Sequence, residues 1–103
     1  MNDISTIKEA LDVPELLAQL AEECIELGHA ALKLRRVLSG LNPTPTPHAD
    51  AYENVQEEIA DVLLVLKVLG YDYQSACYRE MMNCKAQRWV YRLSGKDDLE
   101  LEE

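Results

Sequence analysis

Phenylalanine is absent from this 103-residue chain, and tryptophan occurs once. With so few large rings, a core has to come from Leu, Ala, Val, Ile and Met, and these recur at three- and four-residue steps rather than in alternation. That period argues against a sheet and predicts an all-α fold. No CxxC pair occurs among the three cysteines, Cys24, Cys77 and Cys84, so neither a disulfide framework nor a cysteine zinc site is expected. They read as reduced, mostly buried thiols. No apolar run approaches the ~20 residues that cross a bilayer, and the opening MNDISTIKEALD lacks the basic start and apolar stretch of a secretory leader. The expectation is a cytoplasmic protein with no membrane partner.

Positive charge is also scarce. Ten Lys and Arg stand against nineteen Asp and Glu, a net charge of -9. Such a surface repels a phosphate backbone, which excludes nucleic acid as a general partner. The cations are nonetheless grouped, with Lys33, Arg35 and Arg36 in one place and Arg79, Lys85, Arg88 and Arg92 in another, so local anion binding stays open.

Glycine and proline are few, four of each, and serve as punctuation. A short first helix is expected over about Ile4 to Leu11. Asp12 and Pro14 then start a long second helix that reaches about Leu38 before Gly40 stops it. Its expected inner stripe is Leu16, Leu17, Leu20, Cys24, Leu27, Ala31 and Leu34. Three prolines at alternate positions in LNPTPTPHAD forbid helix and predict an extended loop over 40–50. A third helix begins near Asp50, turns Tyr52, Val55, Ile59, Val62, Leu63, Leu66 and Leu69 inward, and ends at Gly70. A fourth, about Tyr73 to Leu93, is expected to bury Ala76, Cys77, Met81, Cys84 and Trp89. Residues 1–93 thus read as one helical domain and 94–103 as an acidic, flexible tail. The loop lets the second and third helices lie antiparallel in a bundle of about four helices, and a chain this small gains further burial by oligomerising.

Two stretches break the apolar pattern. LAEECIELGHA and QEEIADVLLVL each place two carboxylates three residues apart, Glu23 with Glu26 and Glu58 with Asp61. Residues at that step are neighbours on one helix face, and the flanking Ile59, Val62 and Leu63 put those faces at the border of the core. An ionised carboxylate there is costly unless something compensates it. A hard divalent cation would do so, because Mg²⁺ takes carboxylate oxygens and keeps open positions for substrate phosphates. Glu22 and Glu57 precede the paired acids and are expected to face solvent. Gly28, mid-helix, suggests either a close helix approach or room beside such a site.

Glu22-Glu23-Cys24-Ile25-Glu26 followed by Glu57-Glu58-Ile59-Ala60-Asp61 resembles the motif of the MazG-like all-α nucleoside triphosphate pyrophosphohydrolases, a likeness that extends over about Leu16 to Arg92. The resemblance implies that Glu23, Glu26, Glu58 and Asp61 hold Mg²⁺, with Mn²⁺ as a substitute. It further implies cleavage of a nucleoside triphosphate between its α- and β-phosphates, giving a monophosphate and pyrophosphate. One motif glutamate then orients or deprotonates the attacking water; Glu26 is assigned that role, with Glu58 beside it as catalytic. MNCKAQRWVYRL resembles the family's phosphate-contacting segment, which makes Lys85, Arg88 and Arg92 the candidates, and their three- and four-residue spacing independently puts three cations on one helix face. The family's assembly implies a homodimer or homotetramer.

Rival readings exist. Tyr52, Trp89 and Tyr91 could stack on a base, although aromatics at helical spacing usually serve a core or interface. Glu26 and His29 spell the ExxH of di-iron bundles, but that site needs a second ExxH, and the third helix offers no histidine. A non-catalytic helical interaction module with a residual cation or nucleotide site is the alternative from another class, and a hydrolase releasing orthophosphate is a third.

Overall fold

The computed structural model describes residues 2–95. Four helices account for most of them: α1 (Asp3–Ala10), α2 (Val13–Ser39), α3 (His48–Leu69) and α4 (Ala76–Leu93). Among the described residues no strand forms, so the all-α expectation holds. No helix among the described residues is long and apolar enough to cross a membrane.

The helix ends follow from local chemistry. Asn2 Oδ1 accepts from the Ser5 amide at 2.8 Å, and Asp12 Oδ1 accepts from the Glu15 amide at 3.1 Å, so the caps of α1 and α2 are side-chain carbonyl and carboxylate oxygens. Gly40 (φ 67°) and Gly70 (φ 89°) stop α2 and α3 in the left-handed conformation that only glycine adopts cheaply. Two starts differ from expectation. α3 begins at His48, directly behind Pro47, because the Pro47 carbonyl already accepts from the Ala51 amide at 3.1 Å. α4 begins only at Ala76, because Asp72 organises a turn instead. Its Oδ1 accepts from the Gln74 amide at 3.2 Å and its carbonyl from the Ser75 amide at 3.0 Å.

The chain divides into two compact units, Met1–Tyr71 and Asp72–Glu103. The expected tail, 94–103, lies outside the described residues except for Ser94 and Gly95.

In the first unit α2 packs against α3, and α1 against α3. The two long helices run antiparallel, because rising numbers on α2 meet falling numbers on α3. Lys33 shares a cleft with Ala51, Glu26 and Glu23 meet Glu58 and Asp61, and Leu16 shares a second cleft with Val68. The buried residues are Leu16, Ala30 and Val37 on α2 with Ala51, Val65 and Val68 on α3. Leu16, Ala30 and Val37 are whole heptads apart, and so are Ala51 and Val65, which is the spacing of a coiled-coil seam.

This seam is narrower than the expected stripes. On α2, Leu17, Cys24 and Ala31 are exposed, while Leu20, Leu27 and Leu34 are half-buried. On α3, Tyr52 and Ile59 are exposed, and Val55, Val62, Leu63, Leu66 and Leu69 are half-buried. A single partner helix covers only the seven-residue line and leaves the flanks of a broad apolar face partly open. α4 buries none of its residues, so Ala76, Cys77, Met81, Cys84 and Trp89 are exposed rather than inward. The three cysteines are free and exposed, contrary to the expectation of burial. For Cys24 the reason is angular: it lies one residue, about 100° of helix, beyond the seam position at 23.

Candidate functional site

Leu16, Glu23, Ala30 and Val37 form one seven-residue line, as do Ala51, Glu58 and Val65 on the facing helix. Two glutamates therefore occupy seam positions whose equivalents, one heptad to either side, are buried aliphatic residues. Both are half-buried, and Glu26 and Asp61, three residues away on each helix, stand exposed at the seam's edge. Antiparallel pairing brings all four together, with one carboxylate oxygen from each of Glu23, Glu26, Glu58 and Asp61 lying within 4.8 Å of the others.

The oxygens are unequally satisfied. Glu23 Oε1 accepts from Gln19 Nε2 at 2.8 Å, one turn earlier on α2. Among the described residues, Glu23 Oε2 and Glu58 Oε2 are buried with no hydrogen-bond partner. A buried acceptor left unmatched carries its desolvation penalty uncompensated, about 1–3 kcal/mol and more when charged. Crowding also acts on Glu26, whose carboxyl is held above its ordinary value. The chief cause is the negative charge of Glu23, followed by lost hydration, the charge of Glu58, and the hydrogen bonds that a proton on Glu26 makes to those two neighbours.

Unmatched oxygens, an all-oxygen donor set and concentrated negative charge are features that a hard divalent cation such as Mg²⁺ or Mn²⁺ could use. The Gln19 amide holds one oxygen of Glu23, so only the other oxygen of that carboxylate is left unmatched. The seam position of Glu23 lies off the expected stripe of Leu16, Leu17, Leu20, Cys24, Leu27, Ala31 and Leu34, and Gln19, four residues before it, is a supporting residue that the spacing of the acids does not single out.

An apolar cleft of about 240 Å³ adjoins the acids. Ile7 and Leu11, at and just beyond the end of α1, with Leu16, Leu64 and Val68, form its walls, and Glu23 and Asp61 close it. Such walls limit hydration near the carboxylates and strengthen their interaction with any cation.

His29 is exposed and lies outside the group of ligand atoms, so the ExxH pair does not assemble; α3 does contain a histidine, contrary to expectation, because it starts at His48, but that residue is exposed and outside the group as well. Glu22 and Glu57 are exposed, as expected. Gly28 has nothing within 4 Å of the position a Cβ would take, so it serves no close helix approach. Lys85, Arg88 and Arg92 belong to the second unit, where they follow one face of α4; Arg88 is half-buried, Lys85 and Arg92 exposed. Trp89 is 64% exposed on the same helix, and Tyr52 is 49% exposed on α3.

Comparisons of the chain with family models, with curated proteins and with solved structures return no match. The functional reading accordingly rests on the residues and their geometry.

Proposed function

We propose that this protein is a Mg²⁺-dependent nucleoside triphosphate pyrophosphohydrolase of the MazG-like kind, cleaving its substrate between the α- and β-phosphates to a nucleoside monophosphate and pyrophosphate. The observation that carries the reading is the pair of partnerless buried oxygens, Glu23 Oε2 and Glu58 Oε2, inside a cluster of four converging carboxylates. Glu23, Glu26, Glu58 and Asp61 are the residues to hold Mg²⁺, or Mn²⁺ in its place. When bound, the cation would neutralise these charges and polarise a phosphoryl oxygen.

The chain's own residues then have distinct tasks. Glu26 is exposed at the edge of the seam, where an attacking water can reach it, and is the residue proposed to orient and deprotonate that water. Glu58 shares that catalytic role from the facing helix. Lys85, Arg88 and Arg92, three cations along one face of α4 in an otherwise acidic chain, are the proposed holders of the substrate phosphates. The exposed aliphatic residues Leu17, Ile25 and Leu32, at 45, 60 and 52%, support a homodimer or homotetramer in which helices of several copies complete a bundle. A cytoplasmic location accords with this substrate.

A second reading, a helical interaction module without turnover, draws support from the exposed Met81, Met82, Trp89 and Val90 of α4. One experiment separates the two. Incubation with ribo-, deoxyribo- and modified nucleoside triphosphates plus Mg²⁺, with product identification, should give monophosphate and pyrophosphate. Orthophosphate as the product would mean cleavage at another bond, and no metal-dependent turnover across the panel would leave only the module.

A further inference from the structure

A second cleft opens on the same hairpin, about 410 Å³ in volume, lined by Lys33 of α2, Thr46 of the proline loop and Asp50, Glu53, Asn54 and Glu57 of α3. That volume falls in the range of small-molecule sites, about 300–1,000 Å³. Lys33 lies seven residues after Glu26, and Asn54 seven before Asp61. Both therefore sit on the side of the seam where the two exposed acids of the quartet open, displaced along the helices by about 10 Å. A nucleotide whose phosphates lie at one place has its sugar and base at a comparable remove.

The lining decides which end of a nucleotide fits. Its charged members are one lysine and three carboxylates, so it repels a phosphate. It is instead rich in acceptors: the carboxylates, the Asn54 amide oxygen and the Thr46 hydroxyl. Their complement is a neutral group carrying several O–H and N–H donors, which describes sugar hydroxyls and the amino edges of bases. Glu57, the outward glutamate of the second acidic motif, thereby gains a task.

We infer that the cleft between Lys33, Thr46, Asn54 and Glu57 binds the nucleoside end of a nucleoside triphosphate and selects it through its hydroxyl and amino donors. The inference rests on the hydrolase reading, and the test keeps the two apart. Calorimetric titration of the full chain in Mg²⁺ uses two probes, an α,β-methylene nucleoside triphosphate that resists cleavage and inorganic tripolyphosphate, which has phosphates but no nucleoside. The nucleotide should bind at least about tenfold more tightly than tripolyphosphate, the order expected of one or two hydrogen bonds to charged groups. Glu57→Gln and Thr46→Val, both close in shape to the native residue, should each remove several-fold of that advantage while tripolyphosphate affinity and the circular dichroism spectrum stay as in the wild type.

Ribo against 2′-deoxy analogues, and adenine against uracil, identify the donors; a preference on either axis that Glu57→Gln abolishes supports the cleft. Equal affinity for nucleotide and tripolyphosphate, or an advantage that survives both substitutions, overturns the cleft assignment and leaves the hydrolase reading standing. If neither probe shows Mg²⁺-dependent binding, the hydrolase reading falls and the cleft assignment with it.

Discussion

The middle of the α2–α3 seam and the stretches one heptad away hold equivalent positions and opposite chemistry. At the flanks, Leu16, Ala30, Ala51 and Val65 meet the partner helix and are buried. In the middle the same positions are Glu23 and Glu58, half-buried, each with an oxygen that nothing satisfies. A hairpin built for stability alone would continue the aliphatic line. Interrupting it concentrates negative charge where two helices meet, which is the feature that the proposed cation site rests on.

That contrast can be broken most severely by Glu58→Gln, which keeps the shape and removes a proposed ligand. Outer-shell changes alone cost metal sites about 10–100-fold, so loss of a direct ligand should lower Mg²⁺-dependent turnover by at least about 100-fold. Helical circular dichroism should be unchanged; loss of helicity would instead make this glutamate structural. Glu23→Leu makes the middle of the seam resemble its flanks. Urea unfolding of the metal-free protein should then show a gain of about 1–2 kcal/mol, because a half-buried carboxylate with one unmatched oxygen is exchanged for apolar contact. Mg²⁺ should raise the melting temperature of the wild type and leave that of this variant unchanged. Equal or lower metal-free stability would mean that Glu23 costs the seam nothing.

The effect of pH sharpens the comparison with a smaller signal. Glu26 has a folded-state value above its ordinary 4.5, so the proton it retains favours the folded state at and below that pH, and the benefit is lost as pH rises through the raised folded value. Metal-free wild type should therefore lose stability relative to Glu26→Gln as pH is raised from about 4.5 towards neutrality, and saturating Mg²⁺ should reduce the difference. Parallel melting curves for the two proteins across that range would contradict the crowding. Smallest and simplest is Gly28→Ala. With open space around the added methyl, it should stabilise α2 by about 0.5–1 kcal/mol through helix propensity alone and leave turnover untouched. A loss of activity there would show that the site needs the space beside Gly28.

Most of the helical plan was legible in the residues. Capping side chains, glycines in the left-handed region and the proline loop act over three or four neighbours, so their effect can be read locally. The starts of α3 and α4 shifted by two or three residues because a Pro47 carbonyl and an Asp72 turn competed with the expected caps. The acids of the site were also legible, as pairs three apart on two apolar helices. Which residues would be covered was less so. A 3.6-residue period draws a broad stripe, and nothing in α2 by itself says that the partner covers Leu16 and Ala30 while leaving Leu17 and Cys24 in the open.

By itself, then, the sequence determined the helices, their ends, the excess of negative charge and the two acidic pairs, because each is a matter of near neighbours or of composition. Only the tertiary structure decided that the hairpin's antiparallel register aligns 23 and 26 with 61 and 58, so that four carboxylates meet within 4.8 Å and two oxygens are left without partners. It alone decided that a polar cleft lies one heptad along the same edge. Register joins residues more than thirty positions apart, and it is set by the packing of whole helix faces, which no local pattern specifies.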